Sequence, residues 1–90
     1  MTLNIIVKGK VQGVGFRDAA KSKADELGIR GTVENLASGE VEIIAQGTKD
    51  QLAEFLEWSK RGPSKAEVTK VQKTEIEDSD FLKNFIIKRW

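Results

Sequence analysis

The chain has no cysteine, no histidine and no tyrosine, and only one proline and one methionine in 90 residues. Without cysteine there is no disulfide framework, thiol nucleophile or thiolate metal site. Without histidine the commonest metal ligand and the general base that titrates near neutrality are also missing. Most familiar catalytic kits are thereby excluded, and no metal or cofactor is expected. No apolar run approaches the roughly 20 residues of a membrane span. Charge of one sign is lacking too: 15 basic against 14 acidic residues leave a net charge of +1, so no global field draws in nucleic acid or an anionic membrane. An anionic ligand must be caught locally. The start, Met1-Thr2-Leu3-Asn4, opens straight into a strand-like run. The expectation is a cytoplasmic monomer with neither a nucleic-acid nor a membrane partner.

What is present suits a folded domain. A hydrophobic fraction of 39% and a charged fraction of 32% are those of a globular chain, and the length allows one core and one site, so residues 1–90 are expected to form a single domain. Leu3 to Lys8 is short and β-branched, which favours a strand. Gly9, Gly13 and Gly15 then crowd together ahead of Arg17 to Leu27, a run free of glycine and proline: a loop feeding a helix. Its buried stripe would be Phe16, Ala20, Ala24 and Leu27, with Gly28 as the stop. Ile29 to Asn35 and Glu40 to Gln46 alternate as strands, the second with Val41, Ile43 and Ala45 inward, about a hairpin turn at Ser38-Gly39. Thr48 with Gln51 predicts a capping box, opening a helix that buries Leu52, Phe55, Leu56 and Ser59 and ends at Gly62-Pro63. Ala66 to Ile76, centred on Val68 and Val71, reads as an edge strand, and Phe85 to Ile87 as a last short one. The order predicts an α+β fold, the ferredoxin-like split βαβ (βαββαβ) sandwich, with a mainly antiparallel sheet, two helices on one face and a short C-terminal strand.

The loop from Gly9 to Arg17 carries the chemistry. Glycines between a strand and a helix expose backbone N–H groups and leave room for an anion, and the helix start adds a partial positive charge. Arg17 contributes a planar fork that matches phosphate oxygens. The same glycines could serve the turn alone. The segment is neither a dinucleotide fingerprint, since Gly13-Val14-Gly15-Phe16-Arg17-Asp18 lacks the third glycine, nor a P-loop, whose lysine and Ser/Thr are absent.

The wording Gly9-Lys10-Val11-Gln12-Gly13-Val14-Gly15-Phe16-Arg17 closely resembles the signature of the acylphosphatase family. Gly28-Ile29-Arg30-Gly31-Thr32-Val33-Glu34-Asn35 is similar to its Gly-x-x-Gly-x-Val-x-Asn, and the likeness continues through Gly39, Val41 and Ile43 to Gly62-Pro63 and the Val68–Val71 strand. The resemblance implies metal-independent hydrolysis of acyl phosphates to a carboxylate and inorganic phosphate. It makes Arg17 the catalytic arginine, the amides of Gln12, Gly13, Val14, Gly15 and Phe16 the phosphate-binding loop, and Asn35 the residue that orients the attacking water. It departs from the family at Asp18-Ala19-Ala20, where an aromatic residue or two is frequent, and at Thr32, where a tryptophan or tyrosine is. Small side chains there imply a helix less firmly docked, unless Phe16, Leu27 or Phe55 compensates. Asp18 reads as a solvent-facing acid of the helix start.

Rival readings are a non-catalytic anion- or ligand-binding module on the same scaffold and an accessory domain of a larger carbamoyl-handling protein. The starting methionine and complete set of elements favour a chain that stands alone. An RNA-binding sheet would show aromatics on its open face, whereas these strands offer Val, Ile, Thr, Glu and Ala. Asp78-Ser79-Asp80 is read as a solvated turn, Trp58 as a helix-flank packing residue and Trp90 as a chain-end anchor.

Overall fold

In a computed structural model that describes residues 1–89, seven elements follow one another. They are β1 (Thr2–Lys10), α1 (Phe16–Leu27), β2 (Arg30–Asn35), β3 (Val41–Gln46), α2 (Lys49–Ser59), β4 (Glu67–Ile76) and β5 (Phe85–Lys88). The sheet order is β4-β1-β3-β2-β5. All pairings are antiparallel except β2 with β5, which is parallel. This is the split βαβ sheet with the additional C-terminal strand that the element order predicted. Trp90, expected as an anchor, lies outside the described residues.

Strand alternation sets the layers. Leu3, Ile5 and Val7 of β1, Val33 of β2 and Val41, Ile43 and Ala45 of β3 are buried, while the alternate positions Ile6, Thr32 and Ile44 are only half-buried, as a sheet covered on one face requires. The helices contribute Phe16, Ala20, Ala24, Leu52, Phe55 and Ser59 to the interior. Leu27 and Leu56, expected in the stripes, pack at its margin.

The alanine-rich face of α1 is compensated by aromatics. Phe16 stands 5.3 Å from Trp58, Trp58 stands 5.7 Å from Phe55, and Phe55 stands 6.1 Å from Phe85, centroid to centroid. This tilted chain joins both helices to β5, and each such contact contributes about 0.5–1.5 kcal/mol beyond the area it buries. Trp58 is therefore the packing residue it was expected to be.

Both edges are as expected in kind: β4 is long and largely exposed, β5 short. The turn at Asp78-Ser79-Asp80 is tied down more than a solvated turn would be. Thr2 donates its hydroxyl to Asp78 at 2.7 Å, the Met1 ammonium lies 3.3 Å from the same carboxylate, and Ser79 exchanges two hydrogen bonds with the Gln46 amide. The Thr2 hydroxyl and then the ammonium hold the Asp78 carboxyl below its ordinary range.

Candidate active site

β1 hands the chain to α1 through Val11–Gly15, and burial shows how that loop is held. Val11 at one end and Phe16 at the other are buried, whereas Gly13 and Gly15 between them are exposed. Val14 turns its side chain against the core. The loop is thus pinned by apolar anchors and bare in between. Gly13 and Gly15 have φ of 73° and 77°, the left-handed region that other residues enter at a cost of about 1–2 kcal/mol. A Cβ at either position would project into open space, so the positive φ rather than crowding requires glycine there.

Gly15 is also the N-cap of α1, and no side chain caps that helix. Its first intrahelical bond runs from the Ala19 amide to the Gly15 carbonyl at 3.0 Å, so the amides of Phe16, Arg17 and Asp18 have no partner within the helix. They carry the positive end of the helix dipole into a cavity of about 130 Å³. That volume is well below the roughly 300 Å³ at which drug-sized ligand sites begin, and it suits a small oxyanion. Arg17, Asp18, Asn35 and Arg89 line it with Val11, Gly13, Gly15 and Phe16. A broader depression of about 720 Å³ is bordered by Glu75, Glu77 and Asp78, whose carboxylates would repel a phosphate.

The Arg17 Nη1 donates to the Lys88 carbonyl at 3.3 Å, which ties the guanidinium to the end of β5. Asn35, the last residue of β2, also lines the cavity, and its Oδ1 is buried with no hydrogen-bond partner among the described residues. A buried acceptor left unpaired calls for an explanation. Of the expected site residues, the structure brings Gly13, Gly15, Phe16, Arg17 and Asn35 to one cavity. Gln12 and Val14 do not line it. Gln12 instead donates its amide to the carbonyls of Leu36 and Glu40, at 2.8 and 2.9 Å. It thereby staples the loop to the turn that follows Asn35, a turn further stiffened where Ser38 and then Lys8 hold the Glu40 carboxyl below its ordinary range.

Sequence reasoning missed Val11 and Arg89. Val11 was readable as an apolar residue in a polar loop. Arg89 becomes a site residue only through register: Lys88 of β5 sits opposite Glu34 of β2, so the next residues, Arg89 and Asn35, come level. Asp18, expected to face solvent alone, is held by Arg89 at 2.7 Å. Among the described residues no group of three or more His, Cys, Asp or Glu side chains could hold a metal ion.

A helix start with open amides, a tethered guanidinium and an unpaired amide oxygen meet in an α+β domain at one cavity whose size suits a small oxyanion. Comparison with known proteins says which one. The acylphosphatase family model matches residues 3–87. An acylphosphatase of Bordetella parapertussis is 46% identical over 84 residues, covering 93% of this chain and 89% of its own. The crystal structure of acylphosphatase from Bacillus subtilis superimposes with a TM-score of 0.93 at 38% identity, covering 98% of both chains. Full-length HypF, in a phosphate- and nucleotide-bound form, contains a similar unit: TM-score 0.89 at 30% identity, covering 98% of this chain and 12% of that one. The chain belongs to the acylphosphatase family, and it is an enzyme that hydrolyses acyl phosphates.

Proposed function

We propose that Arg17 and the amides of the Gln12–Phe16 loop hold the phosphoryl group while Asn35 orients the water that attacks it. The observation that carries this division of labour is the buried, unpaired Oδ1 of Asn35 in the cavity that Arg17 and the open start of α1 share. An acceptor there fixes a water by one of its protons and aims the oxygen lone pair at phosphorus.

In the reaction the water oxygen bonds to phosphorus as the bond from phosphorus to the bridging oxygen breaks. The bridging oxygen leaves with its electron pair as part of a carboxylate, and a proton of the water passes to a phosphoryl oxygen, giving dihydrogen phosphate. Negative charge spreads over three phosphoryl oxygens in a loose transition state, and fixed N–H groups and a guanidinium stabilise it without reorganising. A carboxylate is a weak base and leaves without a general acid, so a site lacking histidine and cysteine suffices. An alkyl phosphate has a far poorer leaving group and should be turned over very little.

The reading takes residues 1–90 as a single cytoplasmic domain acting as a monomer on a diffusible substrate, without metal, nucleic acid or membrane. Its support is the small cavity, the near-neutral charge and the Ile, Thr and Glu side chains of the open sheet face. Hydrolysis of benzoyl phosphate with and without EDTA is the test. Equal rates are expected, and loss of turnover on chelation would overturn the metal-free reading. Arg17→Gln should abolish phosphate binding and lower kcat/KM by about 10²–10³-fold. Asn35→Ala should lower kcat by a similar factor yet keep inorganic phosphate binding; the reverse pattern would mean that the two roles are exchanged.

A further inference from the structure

The cavity also holds a charge pair to which the roles of Arg17, the loop and Asn35 give no part. Asp18, the third residue of α1, puts a carboxylate beside the anion cradle. It suits the helix dipole there, but alone it would repel a phosphoryl dianion. Arg89 Nη2 stands 2.7 Å from the Asp18 Oδ1, and both residues line the cavity. The preceding residue, Lys88, accepts the hydrogen bond of Arg17. Consecutive residues after and at the end of β5 thus engage consecutive residues of α1, a carbonyl on Arg17 and a guanidinium on Asp18. The two side chains are 68% and 55% exposed, and ion pairs that open to water contribute little to folding. What the pair alters is the charge beside the cradle, where the Arg89 guanidinium stands against the Asp18 carboxylate.

Resting on the reading that this cavity takes the phosphoryl group, we propose that Arg89 is a positioning residue of the reaction, masking Asp18 so that Arg17 and the loop meet the substrate with net positive charge. Removing Arg89 exposes a carboxylate to the incoming dianion. Removing Asp18 as well takes away the reason for Arg89. A purely structural role of Arg89 does not give that reversal.

Titration with inorganic phosphate and steady-state hydrolysis of benzoyl phosphate, on the wild type, Arg89→Gln, Asp18→Asn and the double variant, test the idea. Arg89→Gln should weaken phosphate binding and raise KM by roughly three- to fivefold, the range expected of a partly screened charge, with a smaller effect on kcat. Asp18→Asn should bind phosphate more tightly than the wild type, and the double variant should return to within about twofold of it. Unchanged affinity in Arg89→Gln overturns the proposal. So does a double variant as weak as Arg89→Gln, which would mean that Arg89 acts on phosphate directly or only through the fold. Arg17→Gln separates the two layers: if it still binds phosphate like the wild type, the cavity assignment itself is wrong, whatever Arg89 does.

Discussion

The two helices of this domain begin in opposite ways. At α2, Thr48 adopts an extended conformation, accepts from the Gln51 amide at 3.2 Å and has its own amide taken by the Gln51 side chain at 2.7 Å. At α1 the equivalent residue is Gly15, left-handed and without a capping side chain. One start is closed by the protein; the other opens uncapped onto the cavity. A glycine at the N-cap forgoes a few tenths of a kcal/mol of helix stability relative to a capping side chain, and the aromatic chain from Phe16 through Trp58 and Phe55 to Phe85 supplies the docking that the cap and the alanine face do not. The open start of α1 is a place where local stabilisation is forgone and neighbouring packing offsets the loss.

The comparison breaks most visibly at Gly15. Gly15→Ala should reduce kcat/KM by about 10²-fold, since displacing the loop amides by even 1 Å has that effect, and the strain at φ 77° should also lower stability. Gly28, at the far end of α1, has the same φ of 77°. Gly28→Ala therefore imposes similar backbone strain away from the cavity and should lose stability while keeping kcat/KM far better. Equal activity losses in the two variants would show that α1 stability alone governs turnover.

Phosphate itself should act as the absent cap. At a concentration about 100 times its Kd, inorganic phosphate should stabilise the fold by about 2.7 kcal/mol, read as a shift of the denaturant midpoint. The shift should be the same in Thr48→Ala as in the wild type and disappear in Arg17→Gln. A shift that survives in Arg17→Gln would place the ligand elsewhere.

The contrast between the two starts also explains what was readable from the chain. The closed start follows from types and spacing alone, because Thr48 and Gln51 satisfy each other within one turn. The strands were legible because burial on one face imprints alternation on Ile29, Gly31, Val33, Val41, Ile43 and Ala45. The loop was legible through three glycines and an arginine, and its meaning sharpened only through its likeness to a family. Arg89 was not legible: a basic residue at a charged end carries no local signal, and only the parallel register of β2 and β5 brings it level with Asn35. The side-chain role of Gln12 was missed for the same reason, since its acceptors, Leu36 and Glu40, lie 24 and 28 residues away. Long-range pairing decides both.

Thr48→Ala removes the closed start directly. The Gln51 amide loses its acceptor while the amide of residue 48 keeps the Gln51 side chain, so the fold should weaken by about 1 kcal/mol with phosphate affinity and kcat/KM unchanged, because α2 does not line the cavity and meets it through the ring of Trp58 against Phe16. Chemical denaturation followed by Trp fluorescence measures the first and benzoyl phosphate turnover the second. A fall in activity parallel to the fall in stability would mean that the cap of α2 is transmitted to the cradle through that aromatic contact.

The smallest effect sharpens the comparison at the level of single charges. Each helix carries one acid in its first turn, Asp18 in α1 and Asp50 in α2. Asp50 is exposed, so Asp50→Asn should cost only about 0.3–1 kcal/mol through the helix dipole, an effect that fades as salt is added. Asp18 meets the same dipole, but Arg89 takes up its charge, and a phosphate bound nearby is disturbed by whatever charge remains. The two substitutions should therefore diverge: Asp50→Asn lowers stability slightly and leaves phosphate binding alone, whereas Asp18→Asn tightens phosphate binding. If both variants shift stability alike and neither moves the phosphate Kd, the first-turn acids serve only their helices and the open start of α1 owes its anion affinity to the loop amides and Arg17.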